Sequence, residues 1–198
     1  MAQQLTEPVS QDRDLNSLSL FTAGVVLAAV TMTFGVMIVV FFVRSQAEVY
    51  WGHIGIPPVL WLTTAVLLAS SGTFEAARRA LARGDQQAAF HWLGWSTGFG
   101  FAFLFGQIAA WAQVLHSGVV LAKNPHSWFI FLFTGLHGLH IVLGLGGLVY
   151  LMTRTRESAS GPRYRTKTRA VTAGVSLFWH YLTFLWILLF GLLLLWRR

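Results

Sequence analysis

WFIFLFTGLHGLHIVLGLGGLVYL, residues 128–151, is the stretch that decides the fold of this chain. It contains 24 residues and no Asp, Glu, Lys or Arg. A helix rises 1.5 Å per residue, so about 20 apolar residues cross the roughly 30 Å hydrocarbon core of a membrane. His137 and His140 stand in its middle on one helical face. Because polar groups at that depth need partners, this stretch predicts a transmembrane helix with helical neighbours.

Other apolar stretches of similar length predict that the chain crosses the membrane five times. The sequence is 55% hydrophobic and 11% charged, whereas a soluble domain is about 25% charged. The predicted fold is therefore all-α, with one membrane domain of five transmembrane helices over residues 20–198. Residues 1–19 are polar and predict a loose or surface-lying tail without a cleavable signal peptide. The predicted spans are about 20–43, 56–77, 93–115, 128–151 and 171–196.

The distribution of Lys and Arg predicts how the helices are oriented. With the N-terminus inside the cell, ten of the 14 basic residues lie in inner segments and four in outer ones. Because basic loops are retained in the cytoplasm, we expect a cytoplasmic N-terminus and a C-terminus outside. The segment TRTRESASGPRYRTKTR (153–169), predicted to be a loop, supplies six of the ten. The net charge of +7 therefore indicates membrane orientation rather than binding to nucleic acid.

Small residues recur every four positions in two of the spans. Such stripes let helix backbones approach each other closely in lipid. They predict a tight bundle, but no particular activity. The stripe of the third span is Gly94, Gly98, Ala102, Gly106 and Ala110, and that of the second is Ala65, Ala69, Thr73 and Ala77.

Three of the seven histidines, His137, His140 and His180, lie deep within predicted spans. A pair on one face with a third histidine elsewhere could bind haem iron or copper. Alternatively, the three imidazoles could form hydrogen bonds to neighbouring helices. There is no cysteine, which excludes a disulfide framework, a thiolate metal site and a cysteine nucleophile.

Charged and aromatic residues within the spans offer further candidates. Glu75 is the only acid inside a predicted span, and Arg78 and Arg79 follow it at i+3 and i+4. This spacing predicts an intrahelical ion pair, with a proton relay as the alternative. Trp179 and Trp186 are seven residues apart on one face of the fifth span and are predicted to pack against a partner.

Three segments resemble helices of subunit III of the haem–copper oxidases: TGLHGLHIVLG (134–144), WHYLTFLW (179–186) and LTTAVLLASSGTF (62–74). The order of these motifs and the turn at Gly84-Asp85 agree as well. The resemblance extends over roughly residues 20–198 and is to the short, five-helix bacterial form. It implies a non-catalytic subunit of a respiratory terminal oxidase in the bacterial plasma membrane. The expected partners are subunits I and II, and haem and copper are expected in partner subunits but not in this chain.

The resemblance also implies roles for individual residues. Arg154 occupies the place of a basic residue near lipid phosphate in the family, and Arg156 follows it, so bound phospholipid is expected. The family role implied is to pack against catalytic subunit I and to support proton uptake and stable turnover. Trp179 and Trp186 become candidates for contact with other subunits. The residues expected to be buried polar packing groups rather than metal ligands are His137, His140, His180, Gln107 and Glu75.

The chain departs from the family at three positions that usually carry an acid. Val30 stands there in the first span, Ala110 follows Gln107 in the third, and Thr183 stands in the last. Alternative functions are an accessory subunit of a quinol oxidase or of a nitric oxide reductase, or an unrelated small membrane transporter. A further alternative is a haem-binding membrane enzyme built on the histidines.

Overall fold

Every transmembrane prediction corresponds to a long helix in the computed structural model, which describes residues 7–47, 57–116, 125–157 and 162–195. Each helix contains a segment long and apolar enough to cross a membrane. The chain is therefore an all-α, multi-pass membrane protein, and the prediction of five spans is confirmed. The helices are α1 (Glu7–Ala47), α2 (Val59–Arg83), α3 (Gln86–His116), α4 (Pro125–Glu157) and α5 (Pro162–Leu195).

Helices α2 to α5 form a ring in which each helix packs against the next and α5 returns to α2. Helix α1 lies outside this ring, mainly against α5, with only a small contact to α4. The core of the ring contains Trp179, Trp186 and Phe103, all of them fully buried. A second cluster attaches α1 through Phe34 and Phe41, which pack with residues of α4 and α5. The weak α1–α4 contact matters below, because it leaves space between these two helices.

A two-residue turn joins α2 to α3. Gly84 has a φ of 83°, a conformation that glycine adopts without steric cost. Its N–H donates to the Leu81 carbonyl at 3.1 Å, and the Asp85 N–H donates to the Ala80 carbonyl at 3.0 Å. Asp85 then caps α3 by accepting a hydrogen bond from the Ala88 N–H at 2.9 Å. The turn expected at Gly84-Asp85 is therefore confirmed, and it places α2 and α3 side by side in opposite directions.

The helices extend beyond the apolar stretches from which they were predicted. Helix α1 begins at Glu7, so residues 7–19, predicted as part of a loose or surface-lying polar tail, are helical. Likewise, α4 runs to Glu157 and α5 starts at Pro162, so most of the predicted 153–169 loop is helical. The reason is that Arg, Lys, Gln and Glu are good helix formers. Hydropathy marks where the hydrocarbon ends, not where the helix ends. Trp196, expected to close the last span, lies outside the described residues.

The predicted stripes of small residues lie in the helix interfaces only in part. Ala77 and Ala110 are buried in the core, and a Cβ at Gly106 would collide with Thr63 of α2. Ala65 and Ala69 of α2 and Gly98 and Ala102 of α3 are exposed. Four residues turn a helix by about 40° more than one revolution, so a strict four-residue stripe drifts off the buried face.

The contact between α2 and α3 also contains two reciprocal hydrogen bonds between serines. Ser70 Oγ donates to the Ser96 carbonyl at 2.8 Å, and Ser96 Oγ to the Ser70 carbonyl at 2.9 Å.

Candidate functional site

A cavity of about 680 Å³ lies between α1, α4 and α5. It exists because α1 leans on α5 and hardly touches α4, and because glycines face it. Gly144, Gly147 and Gly174 are three of its lining residues. Most of the lining is apolar, including Leu18, Val26, Leu143, Val175 and Phe178. The polar side chains, which include Tyr150, Arg154 and Thr168, belong mostly to one end. The cavity is thus apolar along its length and cationic at that end.

Arg154 supplies the positive charge of the cavity and is held by a tyrosine one turn earlier on α4. Its Nε donates to the Tyr150 hydroxyl at 2.9 Å, and its guanidinium carbon lies 5.2 Å from the centre of the Tyr150 ring. The contact with Tyr150 orients the Arg154 guanidinium. Tyr150 was not among the predicted site residues, although its position at i−4 from Arg154 could have indicated it.

Arg156 does not share this cavity. Its guanidinium carbon lies 4.4 Å from the centre of the Phe90 ring on α3, and the residue is exposed. Residues 154 and 156 are 200° apart around a helix, so they face nearly opposite sides. The structure therefore separates the two arginines that the sequence had grouped together.

Glu75 and His180 belong to a second polar group, between α2 and α5. Glu75 accepts from Arg78 Nε at 2.8 Å and from Arg79 Nε at 3.1 Å, which is the predicted intrahelical ion pair. His180 Nδ1 lies 2.6 Å from Ser71 Oγ, and its Nε2 lies 4.0 Å from Glu75 Oε2. Ser71 was missed in the sequence, because nothing in the local pattern shows which hydroxyl faces a histidine more than 100 residues away. This group links two helices that are distant in the chain.

The remaining two deep histidines have different surroundings. His137 is fully buried, and its ring lies 5.0 Å from Trp186 and 5.8 Å from Phe103 by ring centres. His140 Nδ1 is bonded to the Leu136 carbonyl of its own helix at 2.7 Å, so His140 does not make the expected bond to another helix through that atom. Among the residues that the structure describes, no group of three or more His, Asp or Glu side chains could hold a metal ion.

The prediction that Trp179 and Trp186 contact other subunits is wrong. Both are fully buried inside the chain. Trp186 Nε1 donates to Thr64 Oγ1 at 3.0 Å. Trp179 lies over Gly100 and Gly144, which have no side chain to displace it. A large indole on the inner face of α5 is best placed against small residues of its own bundle, and spacing alone could not distinguish this from an external contact.

The three positions that depart from the family are all buried. Val30 and Ala110 belong to hydrophobic clusters, and Thr183 Oγ1 donates to the Trp179 carbonyl of its own helix at 3.1 Å. An unpaired carboxylate is costly at such depth. None of the three side chains present can release a proton at neutral pH, so these positions carry no acid chemistry in this chain.

Comparison with known proteins gives consistent results. The family model described as "Cytochrome c oxidase subunit III" matches residues 18–198. A protein of Nocardia farcinica called "Probable cytochrome c oxidase subunit 3" is 30% identical over 183 residues, which cover 89% of this chain and 88% of the relative. A protein of Mycobacterium leprae with the same description is 29% identical over 195 residues, covering 93% and 92%. The "Cytochrome bo(3) ubiquinol oxidase subunit 3" of Pseudomonas aeruginosa is 31% identical over 133 residues, covering 67% and 62%.

Proposed function

The chain belongs to the cytochrome c oxidase subunit III family, and from this premise we propose that it is the non-catalytic subunit III of a haem–copper terminal oxidase in a bacterial plasma membrane. In this role it packs against catalytic subunit I in a complex that also contains subunit II. The haem and copper that reduce oxygen belong to the partner subunits. The observation that carries the proposal is the family match over residues 18–198, nearly the whole chain. An unrelated transporter is set aside on the same ground.

Phospholipid binding is the part of this function that the cavity supports best. Leu143 and Arg154 both line the cavity and are 11 positions apart on α4. At 1.5 Å per residue this is about 16 Å, roughly half of the 30 Å hydrocarbon core. A lipid of one leaflet fits these dimensions, with an acyl chain along the apolar wall and its phosphate at Arg154. A guanidinium edge suits phosphate because it donates two parallel hydrogen bonds.

A lipid bound in this way would support the oxidase by occupying the cavity between α1, α4 and α5 during turnover. Support of proton uptake is proposed from family membership alone. Val30, Ala110 and Thr183 stand where the family usually has acids, so no carboxylate at these positions contributes to it. The orientation remains the one indicated by the basic residues, with the N-terminus in the cytoplasm. Arg156 of α4 stacks on Phe90 at the start of α3, so Arg154 and the Gly84 turn lie at the same end of the bundle. In the proposed orientation this end is cytoplasmic.

A second candidate function is the same role in a quinol oxidase. It is favoured by one observation, the 31% identity to the ubiquinol oxidase subunit of Pseudomonas aeruginosa. The relatives covering more of the chain are described as cytochrome c oxidase subunits, so we propose cytochrome c as the electron donor.

Purification of the chain from its native membrane in mild detergent tests the proposal. We expect haem absorbance in the complex that co-purifies and none in this chain after it is separated from that complex. Oxidation of cytochrome c, rather than of a quinol, by the complex would identify the donor. Co-purification with no haem protein, or haem in the separated chain, would contradict the proposed function.

A further inference from the structure

One level of the bundle is rich in polar side chains. Trp186 Nε1 on α5 donates to Thr64 Oγ1 on α2 at 3.0 Å. Trp111 Nε1 on α3 donates to Thr134 Oγ1 on α4 at 2.9 Å. These two bonds join opposite pairs of helices in the ring. We call this level, consisting of Thr64, Gln107, Thr134, His137 and Trp186, the polar layer.

Two members of the polar layer have polar atoms without a partner. The exposed fraction of Gln107 is 3% and that of His137 is 0%. Gln107 Oε1 and both ring nitrogens of His137 form no hydrogen bond with any residue that the structure describes. In hydrocarbon surroundings an unsatisfied polar group is costly, and neutral imidazole has one donor and one acceptor nitrogen. These atoms therefore need a partner that the side chains of the bundle do not provide.

Gln107 and His137 lie at the same height on neighbouring helices that run in opposite directions. Phe103 of α3 contacts the His137 ring of α4, with ring centres 5.8 Å apart. Trp111, two turns further along α3, is bonded to Thr134, about one turn away on α4. Gln107 is midway between Phe103 and Trp111, which places it opposite the segment Thr134–His137. Both side chains are buried, and the His137 ring contacts α3 through Phe103.

We propose that one internal water molecule binds between α3 and α4 and bridges Gln107 Oε1 to a ring nitrogen of His137. Water suits the site because it both donates and accepts, so it can satisfy an acceptor and either form of imidazole nitrogen. It donates one hydrogen to Oε1. The water then either donates its second hydrogen to the unprotonated ring nitrogen of His137 or accepts a hydrogen bond from the ring N–H. This site is separate from the proposed lipid cavity, and the inference does not rest on the oxidase role.

A double-mutant cycle tests whether the two residues act as a unit. Unfolding of the full chain by SDS in mixed micelles would be measured for Gln107→Leu, His137→Leu and the double variant. Each single change leaves buried polar atoms and the water without a partner, so we expect the folded-to-unfolded ratio to fall roughly five- to hundredfold. In the double variant the polar atoms are gone and the two larger apolar side chains fill the space. The double variant should therefore be more stable than either single variant.

The matched control is a second cycle in which His140→Leu takes the place of His137→Leu. His140 is suitable because its ring is bonded within its own helix. Gln107→Leu and His140→Leu should show additive effects in the same cycle. Additive effects for Gln107 and His137 would overturn the proposal. Loss of folding in both single variants but not in the double variant would still support it.

A structure that resolves ordered water separates a bridge from a direct contact. We expect a water within hydrogen-bonding distance of Gln107 Oε1 and a ring nitrogen of His137 in the unmodified chain, and none in the double variant. A direct amide–imidazole bond without water would overturn the assignment of the ligand, even if the cycle showed coupling.

Discussion

At the scale of single residues, the position of Arg154 in the cavity predicts which side chain binds the lipid phosphate. Replacing it with alanine removes the guanidinium from the cavity and leaves the apolar wall intact. We expect Arg154→Ala to lower the phospholipid that co-purifies with the protein, as measured by mass spectrometry of extracted lipid. A charged hydrogen bond of this kind contributes roughly 1.5–3 kcal/mol, so retention should fall about tenfold or more.

Arg156→Ala is the matched control for this prediction. It removes the same charge two positions away, but from a side chain stacked on Phe90 of α3 rather than in the cavity. Retained lipid should stay near the level of the unmodified protein. Equal loss in both variants would mean that general surface charge, and not the cavity, holds the lipid.

A second prediction at this scale compares two histidines. His180 is bonded to Ser71 of α2, whereas His140 is bonded within α4. Hydrogen bonds between helices in membranes contribute roughly 0.6–2 kcal/mol, and a partner left unpaired adds a further cost. We therefore expect His180→Leu to lower the SDS concentration of half-unfolding more than His140→Leu does. The haem spectrum of the co-purified oxidase should be the same for both variants, and a spectrum altered by either would revive a ligand role.

At the scale of helices, two neighbouring glycines on α4 allow a sharp test of packing. A Cβ at Gly144 would approach Trp179 to 2.8 Å, whereas one at Gly146 would meet no atom within 4 Å. Overpacking of this kind costs about 1–3 kcal/mol, and alanine otherwise stabilises a helix by up to about 1 kcal/mol over glycine. We expect Gly144→Ala to destabilise the chain in SDS titration and Gly146→Ala to be neutral or stabilising. Equal changes in stability for the two variants would show that Gly144 of α4 does not pack against Trp179 of α5.

The number of helices and much of their extent followed from hydropathy, because the thickness of the hydrocarbon fixes the length of an apolar span. Local spacing also predicted the pairing of Glu75 with Arg78 and Arg79. The helix faces could not be predicted in the same way. Whether Trp179 points inward depends on Gly100 and Gly144, which lie on other helices. The cavity could not be predicted either, because it arises where α1 packs against α5 and hardly touches α4.

At the scale of the whole molecule, the five candidate spans of the described residues predict that the start of the first helix and the end of the last helix lie on opposite sides of the membrane. The basic residues indicate which side is which, since ten of 14 fall in segments that share one side. Basic segments are held in the cytoplasm during insertion. We therefore expect the α4–α5 connection and the Gly84 turn in the cytoplasm, and the α3–α4 connection outside.

Alkaline phosphatase inserted into the chain measures this orientation, because the enzyme becomes active only after export from the cytoplasm. Inserted after Gly161, between α4 and α5, it should be inactive. Inserted after Lys123, between α3 and α4, it should be active, and this second insertion controls for damage caused by the reporter. Green fluorescent protein at the same two positions should give the opposite result. Activity after Gly161 with none after Lys123 would reverse the orientation. Arg154 and the proposed phosphate site would then lie at the outer leaflet, so the measurement also determines which leaflet supplies the lipid.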